Sequence, residues 1–366
     1  MLAVLLILIF VRPFISSLAF SHINLIYSVL FAGFLAVWIT FKGVNLRQIW
    51  PLRYPLLLFV LALVISSIFS SNISASVKEL YKYAASILLL CIVASLSNKA
   101  KNRVILCIAL SGFAISLIAI YQYLFGFGHL ANYVAQKNIA DPFISDYIIR
   151  RRPFAPFVTP NALAGYLAMI LPLGLMQKNK PWLIIPLSLA LLLTKSLGAL
   201  FSVSLGLILY FCLQGKLRKK GIFVICGILM ITGLVLIFRA SAQKLHTQPI
   251  FSAIMRLNYW RDTLSIIKLQ PWTGVGPGNF NLAQSRYAHN SYLQLWAETG
   301  MLGLISFLWL IFAVFKSRFK LLKDSGHKKI PACLITACAI FLLHNLVDFT
   351  FFLPEVSLIW WVILGL

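Results

Sequence analysis

The sequence predicts an all-α, polytopic membrane protein of about twelve transmembrane helices. Hydrophobic residues make up 61% of the 366 and charged residues only 11%, a balance that excludes an ordinary soluble globule. Apolar runs long enough to cross a bilayer recur along the whole chain. Because backbone polar groups in lipid must be satisfied within each segment, these runs are expected to be helices. We therefore expect a single integral membrane domain over residues 1–366.

The apolar runs and the charges between them predict how the chain crosses the membrane. Taken in order, the predicted spans cover about residues 1–20, 23–42, 54–71, 79–97, 104–126, 160–177, 181–195, 197–214, 221–240, 297–316, 329–347 and 354–366. Loops that alternate onto one side carry the basic clusters Lys42, Arg47, Arg53; Lys99, Lys101, Arg103; Lys178, Lys180; Lys216, Arg218, Lys219, Lys220; and Lys316, Arg318, Lys320, Lys323, Lys328, Lys329. The positive-inside rule makes that side the cytoplasm and places both termini there.

The composition also argues against several classes of site. The net charge of +24 is spread over short clusters between apolar runs, so no nucleic-acid partner is expected. The six cysteines lie within apolar runs without CxxC spacing, which is typical of small buried side chains. The eight acidic residues are scattered, and no HExxH, GxSxG or P-loop motif occurs. We therefore expect neither a metal ion nor another cofactor.

Two long loops, 127–159 and 241–296, fall on the outer side, and they carry arginines against the positive-inside rule. These are Arg150, Arg151, Arg152, Arg239, Arg256, Arg261 and Arg286. Contact with lipid headgroups is one explanation. An anionic ligand is favoured, because the planar guanidinium group grips phosphate through two parallel hydrogen bonds.

The first outer loop ends in RRPFAPFVTPNALAGY. Pro153, Pro156 and Pro160 are expected to keep this segment extended until Asn161 opens the next helix. Arg152 then lies just before a helix N-terminus, where backbone N–H groups also favour anions. A rigid loop without a binding role is the alternative.

The second outer loop contains a predicted amphipathic helix followed by a turn-rich segment. The apolar residues of the helix recur at helical spacing, namely Ile254, Leu257, Trp260, Leu264 and Ile267. Tyr259 and Trp260 suit a membrane interface. Pro271 ends the helix, and TGVGPGNF follows. Its glycines do not follow a strand and lack the spacing of a nucleotide-binding fingerprint, so they are interpreted as sites of tight turning or close substrate approach.

His289 follows in AHNSYLQLWAETG, at the expected start of a helix capped by Asn290 or Ser291. A helix N-terminus disfavours the imidazolium form, which leaves a neutral ring able to act as a general base. A structural role is the alternative for a lone histidine. Further polar residues in apolar surroundings are Glu298, His344, Asn345 and Asp348. Glu298 and Asp348 are expected either to lie exposed at outer helix ends or to orient the arginines.

Five segments in this order resemble the O-antigen ligase/polymerase superfamily: RPFAPFVTPNALAGY, RLNYWRDTL, PWTGVGPGNF, AHNSYLQLWAETGMLG and HNLVDFTFFLP. The resemblance runs from Arg152 to the C-terminus. It implies a GT-C-type fold and a glycosyltransferase of the bacterial inner membrane. Ala155 stands where the family often has glycine, and Leu197 stands where many members have arginine. Lys195 is near enough to replace that arginine as a phosphate contact.

The resemblance implies transfer of a glycan from undecaprenyl diphosphate to an acceptor hydroxyl at the periplasmic face, with inversion and without a metal. It casts His289 as the catalytic base and Arg152, Arg256 and Arg261 as the residues that bind the diphosphate. Supporting positions are Asn161, Asn290, Glu298 and Asp348. Arginines suit this reaction, because negative charge grows on the leaving diphosphate.

The acceptor is the open question. Lipid A-core, as in lipopolysaccharide biosynthesis by an O-antigen ligase, is the leading prediction. A polymerase that extends another lipid-linked glycan and a protein O-oligosaccharyltransferase are alternatives within the superfamily. A transporter or flippase of lipid-linked sugars is the alternative of another class. Transporters usually have internal repeats and charges at the membrane midplane, whereas this sequence shows no convincing repeat and its polar residues concentrate in the outer loops. A purely structural scaffold leaves the outer arginines unexplained.

Overall fold

The structure is a computed structural model that describes residues 1–138, 142–177, 180–215, 227, 251–324 and 329–366. All regular secondary structure within these ranges is helical. The predicted span at 221–240, apart from Gly227, lies outside the described residues, as do Arg239 and the beginning of the second outer loop. The prediction of an all-α protein is confirmed for the described part of the chain.

The described α-helices are numbered here in chain order. They are α1 Leu2–Val11, α2 Ser21–Lys42, α3 Leu46–Ile49, α4 Arg53–Ile68, α5 Ile73–Ala94, α6 Asn98–Tyr121, α7 Phe127–Gln136, α8 Pro142–Ile149, α9 Pro160–Met176, α10 Ile184–Leu193, α11 Leu197–Leu213, α12 Phe251–Leu269, α13 Ser291–Asp324, α14 Lys329–His344 and α15 Pro354–Gly365. A π-helical turn at Gln122–Gly126 joins α6 to α7.

Four described helical segments are long and apolar enough to cross a membrane by length and composition. They are Ser21–Lys42, Arg47–Ile68, Asn98–Gln136 and Ser291–Lys323. Shorter apolar helices of 10–17 residues cover most of the other predicted spans. The multi-pass character of the protein follows from these segments, whereas the count of twelve spans stays a prediction.

The first predicted span is wrong in extent, because the helix does not reach residue 20. α1 ends at Val11, and a 3-10 turn follows over Arg12–Phe14. Arg12 is buried and donates hydrogen bonds to the Ile15 carbonyl at 3.1 Å and to Asn24 Oδ1 at 2.9 Å. A buried guanidinium group needs such oxygen partners, and the turn supplies one of them.

The chain divides into two compact units. The first comprises Met1–Ser28, Asn102–Pro249 and Ala332–His344. Its most deeply buried helix is α9, which carries almost no polar side chain. Glycine allows close helix packing here, because a Cβ atom at Gly206 in α11 would overlap the side chain of Ile340 in α14.

The second unit comprises Val29–Lys101, Ile250–Pro331 and Asn345–Leu366. In it α4 packs against α13, and α5 packs against α15. Aromatic side chains from all four helices and the turn before α15 form its core: Phe59, Tyr83, Phe307, Phe351 and Trp360. Arg318 of α13 donates to the carbonyls of Ile363 and Leu364, which secures the last turn of α15.

Candidate active site

Arg152 is buried at the beginning of α9 in the first unit, with 7% of its surface exposed. Its Nε donates to the Thr194 carbonyl at 2.9 Å, and its Nη2 donates to Asn161 Oδ1 at 3.1 Å. These two hydrogen bonds fix the plane of the guanidinium group. The predicted pairing of Arg152 with the start of this helix is therefore seen in the structure.

The helix itself begins one residue earlier than predicted. Thr159 is its N-cap, and the Thr159 side chain accepts a hydrogen bond from the Ala162 N–H at 3.1 Å. Pro160 takes the first helical position, where its missing N–H costs nothing. Asn161 thus lies inside the first turn, which directs its amide oxygen to Arg152. His344 Nε2 lies 3.3 Å from the Asn161 carbonyl and holds the same turn.

Lys195 joins Arg152 in a cationic cluster of the first unit. Its Nζ donates to the Arg150 carbonyl at 2.7 Å, and its backbone is left-handed with φ of 54°. Burial lowers the pKa of Lys195, and the charges of Arg152 and Arg150 lower it further. The charges of Arg150 and Arg152 beside Lys195 make this region positive, which favours an anionic ligand. The role of Lys195 as a phosphate contact stays a prediction.

In the second unit, α12 confirms the predicted helix of the long outer loop but buries an unexpected face. The buried side chains are Tyr259, Thr263 and Ile267, four residues apart. Leu257 is 58% exposed and Leu264 is 41% exposed, although the apolar spacing placed them with Ile267. The helix therefore carries two apolar stripes, and only the packing of the folded unit decides which one is covered.

The buried face of α12 packs on the loop after it and on the first turns of α13. This cluster contains Tyr259, Ile267, Phe280, Leu282, Ala288 and Ala297, with Met255, Ile266, Leu293 and Trp296 packed around it. Arg256 is half-buried on the side of the helix near Tyr259. Arg261 is exposed and lies about 200° around the helix from Tyr259, since each residue turns the helix by about 100°.

The turn-rich segment after α12 is inserted into a break in α13. Gly300 has φ of 69° and ψ of −178°, so the helical hydrogen bonding is interrupted there. The Val275 N–H donates to the Ala297 carbonyl at 2.9 Å, and the Gly276 N–H donates to the Glu298 carbonyl at 3.0 Å. The segment therefore satisfies the helix carbonyls that the break exposes.

Glycine is required at these positions for both conformation and space. Gly274, Gly276 and Gly278 all have positive φ, at 69°, 100° and 74°. A Cβ atom on Gly300 would overlap the Trp272 carbonyl, and one on Gly274 would press on the Glu298 backbone. The interpretation of these glycines as tight turns is confirmed. Gly274 lies close to α13, Gly276 close to Ser70 and Gly278 close to α5.

His289 occupies a strained turn immediately before α13. Its φ is 52°, in the left-handed region that a residue with a side chain rarely adopts. On the C-terminal side, Asn290 Oδ1 accepts from the N–H groups of Tyr292 at 3.0 Å and Leu293 at 3.1 Å. Asn290, not Ser291, is thus the N-cap. On the N-terminal side, the Ala288 N–H donates to the side-chain carbonyl of Gln294 at 3.2 Å.

The imidazole of His289 is surrounded by aromatic rings. Tyr259 stacks on it with ring centroids 5.5 Å apart, and Phe349 meets it edge-on at 4.7 Å. Tyr287 in turn stacks on Phe349, with ring centroids 4.2 Å apart. Nδ1 of His289 is buried and has no hydrogen-bond partner among the described residues. Packing therefore holds the ring, and Nδ1 makes no hydrogen bond to the described residues.

Burial lowers the pKa of His289 below its ordinary 6.5. The neighbouring carboxylate of Asp348 opposes this shift, and the Arg256 guanidinium group adds to it. The predicted neutral imidazole agrees with this direction, although burial is its main cause. Burial also raises the pKa of Tyr287 to about 12, which keeps that hydroxyl protonated.

Asp348 and Glu298 are both 1% exposed, so the expectation that they are unremarkable exposed groups is wrong. Asp348 Oδ1 accepts from the Phe349 N–H at 2.8 Å, which fixes the turn that presents Phe349. Glu298 accepts hydrogen bonds from Gln294 and Gly278, whereas an arginine partner was expected as one possibility. Their burial results from long-range packing that sequence spacing does not encode.

The HNLVDF segment anchors the beginning of α13. The Asn345 carbonyl accepts from the Ser291 N–H at 2.9 Å. Asn345 Oδ1 accepts from the Ser291 hydroxyl at 2.7 Å and from the Phe351 N–H at 2.8 Å. The hydrogen bonds to Ser291 connect residues 54 positions apart in the sequence. They explain why this C-terminal segment accompanies His289 in the five-segment pattern.

The structure brings His289, Arg256, Asn290 and Asp348 together in the second unit and places Arg152 beside Asn161 in the first. Sequence reasoning missed the residues that surround His289, above all Tyr259, Trp260, Tyr287, Gln294 and Phe349. Tyr287 and Gln294 are near His289 in the sequence, but Tyr259, Trp260 and Phe349 are distant, so no local signal connects them to it. In the described ranges, no three His, Cys, Asp or Glu side chains form a group that could hold a metal ion.

Comparison with known families gives one match. Residues 182–308 match the family model described as O-antigen ligase. This segment includes Arg256, Arg261, His289, Asn290 and Glu298, whereas Arg152 precedes it. The family implies a glycosyltransferase-like enzyme of the ligase or polymerase type. No curated protein matches the chain. Residues 182–308, which include His289, are therefore similar to the O-antigen ligase family, and the apolar helices indicate a multi-pass membrane protein.

Proposed function

We propose that the protein is a metal-independent, inverting glycosyltransferase that transfers a glycan from undecaprenyl diphosphate to an acceptor hydroxyl. The observation that carries the proposal is His289, whose buried imidazole lies against Tyr259 and Phe349 with Nδ1 unpaired among the described residues. The similarity of residues 182–308 to the O-antigen ligase family supports the reaction class. Lipid A-core is the proposed acceptor, as in an O-antigen ligase.

His289 acts as the general base of this reaction. Its neutral ring takes the proton of the acceptor hydroxyl while the hydroxyl oxygen attacks the anomeric carbon of the donor sugar. The bond from that carbon to the diphosphate oxygen breaks on the opposite face, which inverts the configuration. The depressed pKa of His289 supports this role, because the ring stays unprotonated at neutral pH.

The leaving diphosphate needs positive charge where its own charge grows. Arg256 is the first proposed diphosphate ligand. Its charge acts on His289, so it lies near the proposed reacting groups. Arg152 is the second proposed diphosphate ligand, and its fixed guanidinium plane suits a phosphate group. Arg261 is a further proposed diphosphate ligand, and it is exposed on α12.

We place the reaction at the periplasmic face of the bacterial inner membrane. Basic clusters between the predicted spans support a cytoplasmic location for the opposite side and for both termini. The loops 127–159 and 241–296 then face the periplasm, where undecaprenyl-linked glycans meet their acceptors. Surrounding membrane lipids hold both donor and protein in one plane.

The experiment is a transfer assay with the purified protein in lipid nanodiscs. A defined undecaprenyl-diphosphate glycan is incubated with lipid A-core, with a second lipid-linked glycan or with a peptide, and the products are identified by mass. We expect a new glycosidic bond to lipid A-core and release of undecaprenyl diphosphate. The product with each acceptor separates the ligase from the polymerase and the protein glycosyltransferase.

A transporter gives a different result. In sealed vesicles, it moves labelled lipid-linked glycan between leaflets and forms no new bond. Transport without product from any acceptor would refute the glycosyltransferase proposal. Full activity in the presence of a strong metal chelator is expected, and loss of activity that added Mg²⁺ restores would contradict metal independence.

A further inference from the structure

Glu298 is a buried carboxylate in the second turn of α13 that the proposed reaction does not use. Its Oε2 accepts from the Gly278 N–H at 2.9 Å, and its Oε1 accepts from Gln294 Nε2 at 2.9 Å. Both oxygens are therefore engaged by N–H donors. Glu298 thus connects the glycine-rich segment to the preceding turn of its own helix.

Gln294 continues the connection toward His289. Its side-chain carbonyl accepts from the Ala288 N–H at 3.2 Å. Ala288 is fully buried and directly precedes His289 in the sequence. A line of three hydrogen bonds therefore runs from Gly278 through Glu298 and Gln294 to Ala288.

The order of donors and acceptors along this line has one consistent arrangement. The Gly278 and Ala288 N–H groups at the two ends of the line can only donate, so Glu298 Oε2 and Gln294 Oε1 must accept there, and the NH₂ group of Gln294 faces Glu298. Its carbonyl then faces the Ala288 N–H, which is the acceptor that this buried donor needs. The opposite orientation of Gln294 sets carbonyl against carboxylate and NH₂ against N–H. Glu298 thus supplies the acceptor that allows Gln294 to hold residue 288 in this orientation.

We propose that Glu298 and Gln294 are positioning residues that fix the catalytic conformation of His289. By anchoring Ala288, they hold His289 at a φ of 52° with its ring between Tyr259 and Phe349. Asn290 anchors the other side of the turn through its N-cap hydrogen bonds. The catalytic part of this proposal rests on the proposed function, whereas the effect on the conformation of His289 does not.

Exchange of the two side chains gives a sharp test. In Glu298→Gln, two amides follow one another, and every orientation leaves one pair of N–H donors facing each other. In Gln294→Glu, two carboxylates face each other. In the double exchange, the carboxylate at 294 accepts from Ala288 and from the amide at 298, whose carbonyl accepts from Gly278. All three hydrogen bonds are then restored, and the middle one has reversed polarity.

The first readout is the chemical reactivity of His289 in the full-length protein in nanodiscs. Carbethoxylation by diethyl pyrocarbonate is followed at peptide level by mass spectrometry over a range of pH. We expect each single exchange to raise the modification rate of His289 about tenfold, since an unpaired buried group releases the turn. The apparent pKa of His289 should also rise toward its ordinary value as the ring becomes hydrated. The double exchange should return both quantities to those of the unaltered protein.

The second readout is glycan transfer, which should fall and recover in the same order. Thr299→Val is the matched control, because Thr299 is buried on the same helix and its hydroxyl donates to the Leu295 carbonyl, outside the line of three hydrogen bonds. It should leave His289 reactivity unchanged. If a single exchange prevents folding, Gln294→Met removes the Ala288 hydrogen bond with little change in shape. Its His289 is then expected to be more reactive.

The proposal is overturned if the single exchanges leave the reactivity of His289 unchanged, or if the double exchange behaves like the single ones. A failure of the proposed function looks different. In that case the unaltered protein transfers no glycan, or transfer survives the loss of His289, while the reactivity of His289 still follows the exchange pattern.

Discussion

Arg152 and His289 are held in opposite ways. Arg152 is fixed through its side chain, because Nε and Nη2 donate to Thr194 and Asn161 in the first unit. His289 is fixed through its backbone, because the neighbouring residues Ala288 and Asn290 are anchored while its Nδ1 makes no hydrogen bond to the described residues.

The difference fits the role that is proposed for each group. A phosphate-binding cation retains its charge while it donates to neutral oxygens, so side-chain hydrogen bonds stiffen it at no chemical cost. A general base must keep a nitrogen atom free to take a proton, so hydrogen bonds to that atom would compete with the substrate. The backbone anchors and the contacts with Tyr259 and Phe349 hold the His289 ring without a hydrogen bond from the described residues to Nδ1.

The largest expected effect is that of His289→Ala on activity. Loss of the base should lower the turnover rate about 10²–10⁴-fold. Stability should fall by only about 1 kcal/mol, because the ring contributes mainly aromatic contacts. Transfer assays and thermal unfolding in detergent measure the two effects. Donor binding, followed with a fluorescent lipid diphosphate, should be unchanged, and transfer at nearly the original rate would refute the assignment of the base.

Arg152→Ala should show the reverse balance, with a large effect on stability. Removal of the buried guanidinium group leaves the Thr194 carbonyl and Asn161 Oδ1 without their donor, which should cost about 3 kcal/mol. Thermal unfolding measures this loss. Arg152→Lys should be intermediate, and Arg151→Gln, at an exposed neighbouring position, should unfold like the unaltered protein. A stable Arg152→Ala variant would contradict the described hydrogen bonding.

Asn290→Ala tests the backbone anchor of His289. Loss of the N-cap should destabilise the protein by about 1 kcal/mol and also slow transfer, because the turn before α13 loosens. Asn72→Ala is the matched control, since Asn72 caps α5 by accepting from the Ala75 N–H at 3.1 Å. It should lose similar stability without slowing transfer. Equal transfer by both variants would mean that the cap does not position His289.

The smallest expected effect is on the pH dependence of transfer. Because the pKa of His289 is depressed, the neutral ring persists below pH 6.5, and activity should fall only at lower pH. Asp348 raises this pKa and Arg256 lowers it. Asp348→Asn should therefore move the acid limb of the rate profile to lower pH, and Arg256→Gln should move it to higher pH. Shifts in the same direction would contradict the described charges around His289.

Part of this site was predictable from the sequence, and part was not. The segment from Arg256 to Gly303 stands out because no lipid-spanning helix accommodates its polar residues. The helix that ends before Pro271, the turns at the glycines after it and the N-cap before α13 follow from local rules of capping, proline and glycine. The buried face of α12 did not follow, because Leu257 and Tyr259 compete for the core and local periodicity cannot rank them.

The partners of Glu298 illustrate why the other contacts of the site could not be predicted from the sequence. Its carboxylate accepts from Gly278, twenty positions earlier, and the reason lies in the break of α13 at Gly300. No residue near Glu298 in the sequence indicates that Gly278 is its partner. The sequence left two alternatives for Glu298, an exposed position at a helix end or an arginine partner. The folded chain supplies N–H donors instead.

By itself, the sequence determined the helical membrane character and the similarity to the O-antigen ligase family, and it supplied the residues of the proposed reaction. These depend on composition and on short segments, since each apolar run must satisfy its own backbone and each motif carries its own geometry. Tertiary structure alone decided that Arg152 meets Thr194 and that Ser291 meets Asn345, over separations of 42 and 54 residues. Such contacts depend on which surfaces are covered when the helices pack, and packing is a property of the whole unit.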